Sequence, residues 1–177
     1  MAKGIRFSFE IAGKAQFDRT FSRLDLHLTD LTETWTEVRD VWWEIEEDQF
    51  QSGGAAGASG KWHELSPAYE KIKISKYGTL ALLNGVLIAS GDLQKAMTGK
   101  NGDSVFNASK DEMVIGAGGR SGRIAGYHQK GGGNLPRREV ISFSDKTKKL
   151  LQKRIQKSLL SQMRGDGWTA TENDYEI

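Results

Sequence analysis

Residues 127–133, YHQKGGG, place His128 just ahead of Gly131, Gly132 and Gly133. In a hydrolase such a loop aims backbone amides at an oxyanion, but that chemistry needs a serine on a G-x-S-x-G elbow, and the sequence has none. A second glycine stretch, GAAGASGK, ends in Gly60 and Lys61 like a phosphate loop. Ala55 stands where that loop needs its first glycine, and Trp62 where it needs a magnesium-binding hydroxyl. A third, MVIGAGGRSG, starts as a dinucleotide fingerprint with Gly116 and Gly118, but Ser121 replaces the third glycine and no βαβ unit surrounds it. A turn at a hairpin end is the expectation there.

His27, His63 and His128 are too widely spaced for a local metal signature, and there is no cysteine to complete one. The carboxylates of EIEED, residues 44–48, crowd one helical stretch with other acids, where solvation accounts for them better than general acid catalysis. The expectation is a protein that is no enzyme, with no catalytic residues, no cofactor and no metal.

The totals agree with that direction. A chain of 177 residues is long enough for one buried core and short for two, so a single domain over 1–177 is expected. Hydrophobic residues make up 37% and charged residues 27%, a composition suited to large water-facing or polar surfaces. The absence of cysteine points to a reducing compartment. The first residues, MAKGIRFSFEIAG, lack the apolar core of a secretion signal, and no stretch approaches the roughly 20 apolar residues of a membrane span. A cytosolic product without membrane contact is expected.

The net charge of +2 conceals a division. Residues 30–48 hold eight acids and only Arg39 as a base, a net −7, whereas residues 120–157 hold eleven bases against Glu139 and Asp145, a net +9. Such a division suits complementary faces in a self-assembling protein or a basic face turned to nucleic acid. Two solvated helix faces of opposite sign would produce it as well.

These residues must be carried by secondary structure. Residues 4–11 alternate apolar and polar and read as a strand. Then Phe17, Phe21, Leu24, Leu28, Leu31, Trp35, Val38, Trp42 and Ile45 recur at spacings of 4 and 3, a heptad-like stripe. One helical arm over 14–49 would extend about 50 Å, more than a small domain needs. Part of its stripe is expected to meet a neighbouring subunit, the alternative being ordinary packing on the carboxy-terminal helix.

Residues 51–60, QSGGAAGASG, read as a flexible glycine-rich link. The core is expected over 61–163. Ser66 and Pro67 start a short helix, another lies around 91–97, and a hairpin pairs 104–108 with 112–115. Residues 117–136 read as loop with a possible helical turn, and REVISFS, 138–144, as a strand. Ser144 caps a final helix whose buried side would be Leu150, Leu151, Ile155, Leu159, Leu160 and Met163; residues 165–177 form a tail. The fold class is α+β, a small antiparallel sheet packed with a long N-terminal helix and a C-terminal helix.

The order of these pieces resembles the bacteriophage virion morphogenesis family, the tail completion proteins of Mu-like and related tailed phages. In that family a Trp-Leu-Tyr-Lys block precedes a Leu-x-x-Ser-Gly-x-Leu segment, similar to Leu87, Ser90, Gly91 and Leu93 here. A His-Gln-x-Gly segment then leads to Pro-x-Arg and a strand, similar to His128, Gln129, Gly131, Pro136 and Arg138. The resemblance spans roughly residues 60–160 and departs at EVISFS, where the family has a Phe-Leu-Gly-like strand.

The resemblance implies a structural protein of the phage head-to-tail junction, a tail completion or tail terminator or neck ring protein, assembled in the host cytoplasm and resident in the virion. Its implied partners are copies of itself, in a hexameric or dodecameric ring, other junction or tail tube proteins, and DNA passing through the lumen without sequence readout. On that expectation the subunit interface draws on Trp35, Trp42, Glu44, Glu47, Arg137 and Arg138. Arg137 and Arg138 would pair with a neighbour's carboxylates, and Lys148, Lys149 and Lys153 would face the lumen. The rivals are a double-stranded DNA-binding protein using the basic C-terminal region, and an enzyme with a nucleotide site at one imperfect glycine loop.

Overall fold

A computed structural model describes residues 30–165. The strand expected at 4–11, the arm before residue 30 and the tail after 165 lie outside the described residues. Helix α1, Thr32–Gln51, opens where the Asp30 carboxylate accepts from the Thr32 amide at 3.1 Å and its hydroxyl at 2.6 Å. The Leu31 amide donates to the Lys110 carbonyl at 2.7 Å instead of continuing a helix. An unbroken helix over 14–49 is therefore corrected: α1 starts at Thr32, because Asp30 turns the chain through its bonds to Thr32 and the Leu31 amide is bonded to a distant turn.

The stripe of α1 folds inward. Trp35, Val38, Trp42 and Phe50 are buried, and Leu31 and Ile45 pack beside them. Much of this face meets α6, Asp145–Gly165, the pairing offered as the alternative to a neighbouring subunit. Leu151 and Leu159 of α6 are buried, and Ser158 Oγ donates to Thr34 Oγ1 at 3.2 Å across the contact. Leu150 does not share the buried side as expected; it is exposed.

The glycine-rich link is also corrected, since residues 51–60 form fixed turns. Gly53 and Gly54, at φ of +61° and +93°, donate back to the carbonyls of Phe50 and Gln49 and end α1. A Cβ at Gly54 would lie 2.5 Å from Trp62 Cδ1. The bare backbone lets the Trp62 indole close over Phe50, edge to face at 5.4 Å.

Helix α2, Pro67–Tyr77, begins where Ser66 Oγ accepts from the Tyr69 amide and stops at Gly78. A short α3, Leu80–Leu83, packs against it. Helix α4 spans Asp92–Met97. Strands β1, Ser104–Ala108, and β2, Met113–Ala117, form the antiparallel hairpin, with Ser104 opposite Ala117 and Phe106 opposite Ile115. Met113 and Ile115 point into the core at the period of two that a pleated strand imposes.

Residues 119–130 are not the expected loop but helix α5, Gly119–Lys130. Asp103, at the entry to β1, accepts from the Ser121 amide at 3.0 Å and anchors the first turn from afar. The strand expected at 138–144 is corrected too: this segment bends at Val140 and Ile141 and joins no sheet. Side chains replace the ladder. Gln129 bonds both the amide and the carbonyl of Ile141, while Gln49 and the Trp62 indole both donate to the Glu139 carbonyl. The α+β class stands, with its two-stranded sheet packed among α1, α4 and α5.

Candidate assembly surface

The stretch from His128 to Arg138 is a structural corner. Gly131, at φ +65°, ends α5 where a Cβ would meet the Arg137 amide at 2.8 Å. The Arg138 amide donates to the His128 carbonyl at 2.8 Å. Its guanidinium is buried, with Nε donating to the His63 carbonyl at 2.8 Å and Nη2 to that of Glu64 at 2.9 Å. Arg138 is therefore not available to a neighbour, and its expected interface role is corrected: it ties the 62–64 segment to the corner. Arg137 remains exposed and pairs with Glu139.

Beside this corner lies a shallow cleft lined by Lys61, His63, Arg137 and Glu139, among others. Hydrogen bonding from Ser59 holds the Glu139 carboxyl below the usual carboxylate range, against a smaller opposing effect of burial, with Ser142 and Arg137 adding to it. It is thus an ionised, fully engaged acceptor. Burial pushes the His128 imidazole down, and the Arg138 charge adds to this. Among the described residues no three His, Cys, Asp or Glu side chains gather to hold a metal ion, and no helix is long and apolar enough to cross a membrane.

Trp35 and Trp42, expected at a subunit interface, are buried in the subunit's own core. That expectation is corrected by the packing of α1 on α6. Glu44 is exposed, and Glu47 reaches Lys100 at 2.8 Å. Glu33, Glu37, Asp40, Glu44 and Glu47 follow one another at spacings of 4, 3, 4 and 3, so the acids form a ridge along the outer side of α1. On α6, Lys146, Lys149, Lys153 and Lys157 are exposed at spacings of 3, 4 and 4, a basic ridge of similar pitch. Lys148 lies off that ridge and approaches Asp145 at 3.5 Å. Arg154 and Glu37, 3.4 Å apart, join the two helices within the subunit.

The feature not foreseen from the sequence is the α2–α3 hairpin. Of the eleven residues of α2 only Lys73 is buried, and its ammonium donates to the Gly85 carbonyl at 2.6 Å. Burial lowers the Lys73 pKa. Ala81 is buried and Ile74 and Leu82 half-buried, but the larger apolar side chains face water: Tyr69, Ile72 and Tyr77 are exposed, Leu80 is 72% exposed and Leu83 81%. The alternation of apolar and lysine residues in YEKIKISKY gave one signal, since a helix cannot bury that pattern on one side.

Most of the residues on which the expected resemblance was read hold the fold. Leu87 and Leu93 are buried, Gly91 takes φ +84°, and Gln129, Gly131 and Arg138 build the corner. No protein-family model, curated protein or solved structure matches the chain.

Proposed function

We propose that this protein is a self-assembling structural subunit of a phage head-to-tail junction, a tail completion, tail terminator or neck ring protein. The carrying observation is the α2–α3 hairpin, which presents Tyr69, Ile72, Tyr77, Leu80 and Leu83 to water, while α2 buries no apolar side chain and α3 buries only Ala81. Five large apolar side chains exposed within fifteen residues of one hairpin mark an interaction site. The ridges of α1 and α6 support the same reading. Two different surfaces of opposite sign on one subunit match head to tail, the arrangement that closes into rings, and like charges disfavour wrong registers. The resemblance in motif order supplies the phage setting.

The test is the mass and symmetry of the particle formed by the purified full chain, together with its presence in mature virions. A closed hexameric or dodecameric ring found at the head-to-tail junction is the expected result. A chain that stays monomeric at all concentrations and is missing from virions overturns the reading.

One observation favours double-stranded DNA binding instead: the four ridge lysines of α6 are all exposed, alongside Lys148. Binding of the monomer to arbitrary duplex, weakening steeply with salt and abolished by K149A/K153A, would establish that reading.

A further inference from the structure

The hairpin surface has an occupant of suitable chemistry in the chain itself. Residues 14–29, KAQFDRTFSRLDLHLT, carry Phe17, Phe21, Leu24 and Leu28 at spacings of 4, 3 and 4, a pattern that would share one side in a helical conformation. Such a stripe needs an apolar counterpart. The apolar face of α1 cannot serve, because it is already closed by α6, β1 and α4.

The two surfaces belong to opposite ends of α1. Residues before Asp30 join the subunit at the start of that helix, where Leu31 is bonded to Lys110. The α2–α3 hairpin sits at the other end: Lys73 holds the Gly85 carbonyl, and a Cβ on Gly85 would lie 4.0 Å from the Phe50 carbonyl. The intervening twenty residues of α1 span about 30 Å. Folded straight back as a helix, the stripe from Leu28 to Phe17 would end about 20 Å along that length, short of the hairpin. An extended chain could reach, but its stripe would no longer share one side.

We infer that residues 14–29 of one copy dock on the Tyr69–Ile72–Tyr77–Leu80–Leu83 surface of the next copy, an arm exchange that links subunits head to tail. The inference rests on the self-assembly proposed above and names its contact. Because donor and acceptor sites differ, each subunit gives one arm and receives one. Leu80 and Leu83 are the central acceptors by exposure.

The chain contains no cysteine, so introduced thiols report contacts without background. Two full-length proteins, F21C and L83C, are mixed under oxidising conditions, one of them carrying a mass tag. The expected product is a disulfide-linked heterodimer. Absence of that product overturns the inference, as does a crosslink formed only within the F21C/L83C double variant, which would mean docking inside one subunit. A crosslink of L83C to A170C in place of F21C would assign the surface to the C-terminal segment and also overturn it.

In parallel, F21D/L24D and L80D/L83D are each expected to release monomers whose circular dichroism and melting temperature match those of the wild-type monomer. If the wild-type particle assembles and both variants retain its mass, arm exchange fails while the ring reading stands. If the wild type never assembles, that reading fails as well.

Discussion

Arg138 Nε donates to the backbone carbonyl of His63 at 2.8 Å across 75 residues of sequence, and Nη2 takes the carbonyl of Glu64 beside it. One planar guanidinium thus closes two backbone acceptors that no strand satisfies. Arg138→Ala takes this donor from both carbonyls and removes a buried side chain, and is expected to lower unfolding stability by about 1–3 kcal/mol. Arg138→Lys should recover only part, since one ammonium does not reproduce the fork. Urea titration of the three proteins checks this, and a wild-type midpoint in R138A would show that the corner does not depend on the side chain.

Glu46 gives the stability a pH dependence of defined sign. It lies on α1 among Trp42, Gln49 and Phe50, is buried, and has one carboxyl oxygen without a hydrogen-bond partner. Burial raises its pKa well above the ordinary 4.5. The folded state therefore keeps a proton that the unfolded chain releases. The contribution is fully present below the unfolded pKa and is lost as pH rises towards the folded one, at no more than about 1.4 kcal/mol per pH unit. Glu46→Gln removes the titration. Relative to that variant, the wild type is expected to weaken as pH rises above the ordinary carboxylate range; stability curves that stay parallel from acid to neutral pH would sink the assignment.

The legible part of the fold was what short-range periodicity and capping encode. The apolar stripe of α1, the Ser66–Pro67 start of α2, the β1–β2 hairpin and the Ser144 cap of α6 all follow from residues within a few positions of one another. The misread parts depend on partners far away in sequence. Helix α5 reads as a loop because Gly119, Gly122 and Gly126 weaken it, and its anchor, Asp103, lies 18 residues before Ser121. REVISFS has strand composition, but its backbone is satisfied by Gln49, Trp62 and Gln129, a solution no local pattern announces. The same holds for the proposed assembly surface. A tryptophan stripe looks alike whether a subunit or a neighbour covers it, and only burial separates Trp35 and Trp42 from Leu80 and Leu83.

Trp62 joins the turns after α1 to the 138–144 segment through its indole N–H, which donates to the Glu139 carbonyl at 2.8 Å. Trp62→Phe keeps an apolar ring over Phe50 but loses this bond, an expected loss of about 1–2 kcal/mol in part offset by the Gln49 donor to the same oxygen. Gly54→Ala should cost more. Its Cβ would fall 2.5 Å from the indole at a φ of +93°, so the ring must move and the backbone is strained as well. Near-ultraviolet circular dichroism of the tryptophans, followed with urea unfolding, reads both effects.

Two glycines on one face of α5 should respond to alanine with opposite signs. A Cβ at Gly122 would lie 2.4 Å from the Ala117 carbonyl oxygen, so close passage of the helix over the end of β2 requires bare backbone there. Gly122→Ala is expected to destabilise by about 1–3 kcal/mol. Gly126 has nothing within 4 Å of the same position and sits inside the helix without positive φ. Gly126→Ala should therefore stabilise the monomer by about 0.5–1 kcal/mol, because alanine has less backbone entropy to lose on folding. Thermal melts of both variants decide the matter: shifts of the same sign would mean that steric clearance under α5 is not what separates these positions.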